Sequence, residues 1–181
     1  MRTRAAAIPP LTGVRAIAAL WVVLHHFRLG AGRFLELPAA IDRVCQLGYL
    51  GVDLFGFVSG FVMAHNYAER LGRDRRAELA PYLWARLVRI GPLHWLVLAL
   101  LVATVAFVPG FPARPAERVL YRAGELPIQS LLLHGWSLGN PFAWNLPSWT
   151  VSSEWLCYLL FPLAAPSLLR VRDGAQALLL A

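Results

Sequence analysis

Long apolar segments separated by short polar connectors dominate this chain of 181 residues. The hydrocarbon core of a bilayer is ~30 Å thick, and a helix crosses it with about 20 apolar residues. The pattern therefore predicts an all-α protein, a polytopic membrane helix bundle that forms a single membrane-embedded domain over residues 1–181. Its four to five apolar segments cover about residues 11–29, 44–66, 84–108, 126–138 and 149–169.

Two of these segments depart from a simple membrane helix. The segment at 126–138 reaches only ~20 Å as a helix, which is too short for a crossing, so we expect it to be re-entrant or interfacial. The segment at 11–29 follows Arg2 and Arg4 as a signal peptide would, but Arg15 and a His pair interrupt it and no clear cleavage site follows. We interpret it as an uncleaved first membrane helix.

The composition excludes an ordinary soluble domain. The chain is 58% hydrophobic and 15% charged, whereas soluble domains carry about 25% charged residues. The seventeen basic residues, all Arg, outnumber the ten acidic ones, but they cluster between apolar segments, which argues against nucleic acid and is typical of cytoplasmic loops. Six Arg within 67–90 predict a cytoplasmic connector and a cytoplasmic N-terminus. Residues 30–43 and 109–125 then lie outside, and the segment at 149–169 runs inward and leaves Arg170 and Arg172 in the cytoplasm. The alternative is that 126–138 spans the membrane, which places those two Arg outside.

The two cysteines and two of the histidines give no functional signal. Cys45 and Cys157 have no spacing typical of a metal or redox site, so we expect no bound metal and two small apolar side chains in a membrane core. His94 and His134 belong to no recognisable motif.

The ionisable side chains of Arg15, His25 and His26 lie inside the first apolar segment. An ionisable group at bilayer depth costs about 2.5 kcal/mol or more, so it faces protein or water. At ~100° per residue, Arg15 and His26 lie ~20° apart on one helix face with ~16 Å between their levels, whereas His25 lies ~80° off that line. Arg15 and His26 are therefore predicted to line one interior path. The alternative is that both His residues form hydrogen bonds between helices.

Two carboxylates interrupt the later apolar segments. Glu154 lies near Trp149 and Tyr158, a turn or two below the predicted outer end of its helix, and we expect a partner for it because an unpaired carboxylate there is costly. Asp53 follows the same logic, and we favour a structural role for it. The glycines around Asp53 permit the close approach of a neighbouring backbone; they are Gly51, Gly56 and Gly60.

Four stretches, in this order, resemble motifs of the acyltransferase-3 family of integral membrane O-acyltransferases. The first is LTGVRAIAALWVVLHHF, with the family's basic residue, ten intervening positions and a His. The second is GVDLFGFVSGF, similar to the second-helix motif, and the third is RLVRIGPLHWL, similar to the Arg-x-x-Arg start of the third helix. The fourth is NLPSWTVSSEWLCYLLFP, which resembles the Ser-Leu-x-x-Glu-x-x-Phe-Tyr signature and its flanking Pro.

The resemblance implies transfer of an acyl group, commonly acetyl, from cytoplasmic acyl-CoA to a hydroxyl group, often on a cell-surface sugar. His26 is then the general base, and Arg15 either contacts the donor, stabilises developing negative charge or lies at the interface as an anchor. Glu154 orients the acceptor or forms a buried ion pair. Arg86 and Arg89 bind the phosphates of the donor, with positive-inside anchoring as the alternative. The structural or possible site residues are Asp53, Ser59, Trp149 and Tyr158.

The resemblance also sets the expected partners and location. We expect acyl-CoA, most often acetyl-CoA, as a co-substrate with no bound cofactor, a carbohydrate or other hydroxyl acceptor, a lipid bilayer, and no nucleic acid. The implied location is the bacterial cytoplasmic (inner) membrane, with several passes.

The chain departs from the family pattern in sequence and in length. Thr150, Val151 and Cys157 replace signature residues but keep small or apolar character. Family members carry considerably more membrane helices, so the chain resembles only their N-terminal half and is truncated relative to them. The alternative functions are therefore an inactive truncated family member and a non-catalytic membrane transport module, in which the polar groups line a path without doing chemistry.

Overall fold

A computed structural model describes residues 9–31 and 37–170, and every regular element within these ranges is helical. The all-α prediction is therefore confirmed. The chain divides into two compact units, one ending at Ala68 and the other beginning at Glu69. The α-helices of the described ranges are α1 (Pro9–Ala31), α2 (Ala39–Gln46), α3 (Leu50–Arg73), α4 (Arg75–Phe107), α5 (Leu126–Ser130) and α6 (Trp149–Leu168).

Three of the described helical segments are long and apolar enough to cross a membrane: Pro10–Arg28, Ala39–Arg73 and Arg75–Phe107. The second joins α2 to α3 through a 3₁₀ turn at Leu47–Tyr49. The spans agree with a polytopic membrane protein but are fewer than the predicted apolar segments. Helix α6 has nearly the predicted bounds but is not among the three; its first turns carry two serines and Glu154.

In the first unit, α1 packs closely against the 3₁₀ turn and the start of α3 at two glycines. A Cβ atom on Gly51 would lie 2.7 Å from the backbone oxygen of Ala18. A Cβ atom on Gly48 would lie 2.7 Å from the Cβ of His25. A residue without a side chain permits this approach, as small residues do at membrane helix interfaces.

Polar side chains of α1 add to this contact. Trp21 Nε1 donates to the backbone oxygen of Val44 at 2.6 Å. Arg28 forms an ion pair with Asp42 on α2, in which Nη2 donates to Oδ2 at 3.1 Å. The packed face of α1 therefore repeats every three to four residues; it comprises Ala18, Trp21, His25 and Arg28.

Gly56 and Gly60 make no such contact. Among the described residues, a Cβ atom on either would meet nothing within 4 Å. The expectation of close backbone approach is therefore correct for Gly51 and wrong for these two. The reason is that α3 meets α1 only at its beginning.

Helix α4 begins nine residues earlier than predicted, at Arg75 instead of residue 84. Asp74 caps its N-terminus, since Oδ1 accepts a hydrogen bond at 3.1 Å from a backbone N–H of the first turn. Arg70 at the end of α3 forms an ion pair at 2.5 Å with Glu78 in that same turn. A side-chain cap and an ion pair stabilise this helix start. Because the surrounding sequence is charged, the pattern of apolar residues does not reveal where the helix begins.

In the second unit, α4 and α6 run antiparallel. The hydroxyl group of Tyr82 donates to the backbone oxygen of Tyr158 at 3.0 Å, and its ring lies 5.9 Å from that of Phe161. Arg86, one turn later on α4, lies over the Tyr158 ring. The buried stripe of α4 recurs every four residues, which is a common ridge in helix packing; it comprises Tyr82, Arg86, Ile90, His94 and Leu98.

Residues 126–138 form an irregular segment and no spanning helix. The five-residue α5 is followed by turns and by a 3₁₀ turn at His134–Trp136. Leu132 and Ser137 have left-handed backbone angles, with φ values of 59° and 60°. The prediction that this stretch makes no ordinary crossing is confirmed.

Side chains of the two flanking helices hold this irregular segment. Trp95 Nε1 on α4 donates to the backbone oxygen of Ser130 at 2.9 Å. Ser152 Oγ on α6 donates to the backbone oxygen of Leu132 at 2.6 Å and accepts from the N–H of Gly135 at 2.9 Å. Trp95 lies ~18 Å along the helix axis from the end of α4. Irregular backbone at membrane depth requires burial in protein, so these contacts support the re-entrant interpretation.

Candidate functional site

His25 and His26 on α1 have different surroundings. His25 lies on the packed face, and its Nδ1 donates to the backbone oxygen of Cys45 at 3.1 Å. His26 is exposed, and its Nδ1 donates to the backbone oxygen of Val22, one turn earlier, at 2.8 Å. Because a carbonyl oxygen only accepts, the proton of a neutral His26 lies on Nδ1 and its lone pair lies on Nε2. An exposed imidazole with this tautomer is able to accept a proton through Nε2.

Arg15 is partly buried, and its Nε and Nη2 are shielded from solvent without a hydrogen-bond partner among the described residues. By helix geometry, Arg15 and His26 lie ~60–80° from the line through Ala18 and ~20° from each other. They share one face of α1, as the spacing predicts, but His26 is exposed on that face, and the interior path stays a prediction. That face is adjacent to the packed face that includes Ala18. A shielded guanidinium group without partners is suited to binding an anion.

The two candidate residues of α3 differ in burial. Ser59 is 7% exposed, whereas Asp53 is exposed and makes no ion pair or hydrogen bond through its carboxylate among the described residues. The described residues thus supply no structural partner for Asp53, and its structural role stays a prediction. Two residues turn a helix by ~200°, so Asp53 lies opposite Gly51, which contacts α1.

In the second unit, Arg86, Tyr158 and Glu154 form one network between α4 and α6. Arg86 is 9% exposed, and its guanidinium carbon lies 5.6 Å from the centroid of the Tyr158 ring. The hydroxyl group of the fully buried Tyr158 donates to Oε1 of Glu154, one turn earlier on α6. Such a cation–π contact contributes about 2 kcal/mol when the cation is desolvated. Tyr158 therefore contacts both a guanidinium group and a carboxylate.

This network corrects the predicted level of Glu154. The sequence places Arg86 at the inner end of one helix and Glu154 near the outer end of another. The structure brings both to the level of Tyr158. Because residues 126–138 do not complete a crossing, α6 begins beside the middle of α4, and Glu154 lies correspondingly lower along α4.

The structure also separates the two arginines predicted to bind one donor. Arg89 is exposed, whereas Arg86 packs against α6, because three residues turn a helix by ~300° and leave the two side chains ~60° apart. Trp149, the first residue of α6, is 39% exposed. Of these three residues, only Arg86 joins the buried network.

A second polar cluster, which the sequence does not reveal, lies between α4 and the start of α6. His94 and His134 stack with their ring centroids 5.6 Å apart and 10° between the ring planes. His94 Nε2 donates to the backbone oxygen of Gln129 at 2.9 Å. His134 Nε2 lies 3.0 Å from Ser148 Oγ, which donates its own proton to the backbone oxygen of Asn145 at 2.6 Å. The imidazole of His134 is therefore the donor to Ser148.

Burial keeps His134 in its neutral form. Desolvation lowers the pKa of His134 below its ordinary value of 6.5, a hydrogen bond with the backbone of Ser148 opposes this effect, and the nearby His94 adds to the lowering. His94 and His134 are far apart in the sequence, and a lone His in an apolar stretch does not indicate its partner. The signal that the sequence offers is the four-residue repeat of buried positions on α4. Arg86 and His94 occupy positions of this repeat that otherwise hold mainly apolar residues.

The apolar spans and the ionisable side chains buried in the second unit define an integral membrane protein with polar groups inside its helical units. The chain belongs to the acyltransferase-3 family, since the family model described as an acyltransferase domain matches residues 9–181. The match includes all four motif-bearing stretches.

The chain is also similar to two curated proteins, the first of which is named an acyltransferase. The chain is 32% identical over 169 residues to acyltransferase MdmB of Streptomyces mycarofaciens, a match that covers 90% of this chain and 40% of that protein. It is 39% identical over 158 residues to Protein 2 in the picA locus of Rhizobium radiobacter, covering 80% of this chain and 75% of that protein. The chain thus spans less than half the length of the first relative. No solved structure gives a significant match.

Proposed function

We propose that this protein transfers an acyl group, acetyl in the first instance, from acyl-CoA to a hydroxyl group of a cell-surface carbohydrate or related acceptor. The observation that carries the proposal is the shared face of α1. It holds an imidazole able to accept a proton and a guanidinium group whose shielded nitrogens have no hydrogen-bond partner in the described part of the chain. Family membership supplies the reaction class.

His26 acts as the general base in this reaction. A hydroxyl group is a weak nucleophile, so its proton moves to His26 Nε2 as its oxygen attacks the thioester carbonyl. The new carbon–oxygen bond forms, the carbon–sulfur bond breaks, and the departing thiolate of CoA takes up the proton. The bond from Nδ1 to Val22 favours the tautomer that this role requires.

Arg15 binds the anionic part of the donor. The two groups differ by ~16 Å in level along the helix, so they are too far apart to act on one carbonyl group. The phosphates of CoA are separated from its thioester by the extended pantetheine arm, and this separation suits Arg15 at one end and His26 at the other. Arginine forks bind phosphate oxygens well.

In the second unit, described by itself, Glu154 is the carboxylate that binds an acceptor hydroxyl, and the exposed Arg89 binds donor phosphate. The hydroxyl group of Tyr158 donates to Oε1 of Glu154 and restrains the carboxylate. Arg86 lies over the Tyr158 ring. The distribution of Arg supports a bacterial cytoplasmic membrane location with the N-terminus and Arg89 on the cytoplasmic side.

The test is label transfer in membranes that contain the full chain, with radiolabelled acetyl-CoA and candidate glycans. His26→Ala is expected to lower transfer by about 10²–10⁴-fold, the usual contribution of a general base. The matched control is His65→Ala, which removes another exposed His of the first unit. Transfer that survives His26→Ala would remove His26 from the mechanism, and absence of transfer by the stably folded wild type would favour an inactive or transport role.

A further inference from the structure

Three buried acceptor atoms lie in the cluster between α4 and the start of α6: Nδ1 of His94, Nδ1 of His134 and Oε1 of Gln129. None of them has a hydrogen-bond partner among the described residues. The three residues are 3%, 0% and 0% exposed, respectively. Buried polar groups in proteins are almost always paired, so three such atoms in one cluster call for a ligand.

The hydrogen bonds that do form fix the chemistry of this three-acceptor cluster. Each ring donates from Nε2, His94 to a carbonyl oxygen and His134 to a hydroxyl oxygen whose proton is already used. Each neutral ring therefore presents a lone pair at Nδ1. The amide nitrogen of Gln129 lies 3.5 Å from the backbone oxygen of Asn140, and exchanging the amide atoms would set two acceptors against each other. All three orphan atoms thus require a donor.

We propose that the three-acceptor cluster is an internal hydration site, where water donates to His94 Nδ1, His134 Nδ1 and Gln129 Oε1. One water molecule has two donors, so the site holds at least two molecules. Internal waters of this kind commonly bridge buried polar groups. The surrounding backbone is irregular, with Leu132 in a left-handed conformation and buried.

The ring geometry favours water over a single metal ion. A metal bound by an imidazole lies in the plane of the ring, along the lone pair. The planes of His94 and His134 are stacked within 10° of parallel, so one ion does not lie in both planes. Their described partners are carbonyl and hydroxyl groups, and none of these neutralises an added positive charge.

The first experiment measures the sign of a stability change in Gln129→Met, which removes the amide at nearly constant volume. If water occupies the site, the melting temperature of the purified full chain falls by roughly 3 °C or more, because the water loses a partner. If Oε1 is truly unsatisfied, its removal offsets the loss of the long contact between the amide nitrogen and Asn140, and the melting temperature rises or stays unchanged. Gln46→Met is the matched control, since Gln46 is exposed on α2. A rise, or a change no larger than that of the control, would overturn the proposal.

A second measurement needs no variant of the cluster. Radiolytic labelling in H₂¹⁸O, in which bound water oxidises the side chains beside it, is expected to modify His134 despite its complete burial. Phe161, also buried but in the apolar part of the α4–α6 contact, is the dry reference. Equal protection of both residues would overturn the hydration site. A rise in melting temperature on adding Zn²⁺ that His134→Asn abolishes would overturn it in favour of a metal.

Discussion

His25 and His26 are neighbours in the sequence and share one helix, whereas His94 and His134 lie on different elements and meet only in the fold. In the first pair, helix geometry directs one ring toward a packed interface and leaves the other exposed. In the second pair, packing stacks two buried rings that each donate to a fixed oxygen. The comparison shows that adjacent histidines on one helix have different surroundings, whereas distant ones meet beside an irregular segment.

The largest stability effect is expected where α6 holds that irregular segment, at Ser152. Ser152→Ala removes two hydrogen bonds and leaves a buried carbonyl oxygen and a buried N–H without partners. We expect a loss of about 2–5 kcal/mol in the free energy of unfolding, since each unpaired buried group costs about 1–3 kcal/mol. Denaturant unfolding of the purified protein measures it.

The control for this prediction is the adjacent Ser153→Ala. Ser153 only bonds to the backbone oxygen of Trp149, within its own helix, so the expected change is within about 0.5 kcal/mol. Equal effects of the two substitutions would show that Ser152 does not hold the segment.

The next effect separates the two members of the first pair. His25→Ala removes the hydrogen bond to the backbone oxygen of Cys45 and the edge contact of the imidazole with the Tyr49 ring. We expect a loss of about 2–4 kcal/mol in the free energy of unfolding, with acyl transfer per folded molecule retained. Thermal melting and label transfer measured on the same samples test this. A His25→Ala protein that is stable but inactive would show that the chemistry belongs to His25 and not to His26.

The sequence predicts the helices of this fold better than their mutual levels. The apolar run alone identifies α1, and the bounds of α6 are predicted within a residue. The start of α4 is missed because Asp74 caps a helix inside charged sequence. The position of Glu154 along α4 is missed because it depends on the path of residues 126–138. Hydrogen bonds such as those of Ser152 fix that path.

The same distinction applies to the site. Spacing along α1 suffices to place Arg15 and His26 on one face. It does not show that Arg86 packs on Tyr158 while Arg89 stays exposed, because that depends on the rotation of α4 against α6. Sequence patterns carry information about one helix at a time, and contacts between helices require the fold.

A smaller effect is expected from closing the approach of the 3₁₀ turn to α1. Gly48→Ala places a methyl group against the backbone of Trp21 and the Cβ of His25, and overpacking of this kind costs about 1–3 kcal/mol. Gly56→Ala is the matched control, because its Cβ atom meets nothing within 4 Å among the described residues and alanine favours a helix by about 1 kcal/mol. Melting temperatures that shift in opposite directions are expected; equal shifts would contradict the close contact.

The smallest effect is a pH dependence of stability at the second pair. The pKa of His134 is lowered in the folded protein, chiefly by burial, so the unfolded state binds a proton more readily. Stability from this group is therefore complete above its ordinary pKa of 6.5 and is lost as the pH falls through and below that value. The groups that face His134 are the ring of His94 and the hydroxyl group of Ser148, and neither carries a negative charge that would favour protonation.

Melting curves between pH 8 and pH 5 measure this dependence, with His134→Asn as the comparison. The variant is less stable at pH 8, where the neutral imidazole of the wild type is bonded to Ser148, and the difference narrows as the pH falls. Exposed His26 and His65 are present in both proteins, so their titration cancels in the difference. A difference that stays constant, or widens in acid, would mean that His134 is not held neutral. The predicted pH dependence of stability at the second pair would then be wrong.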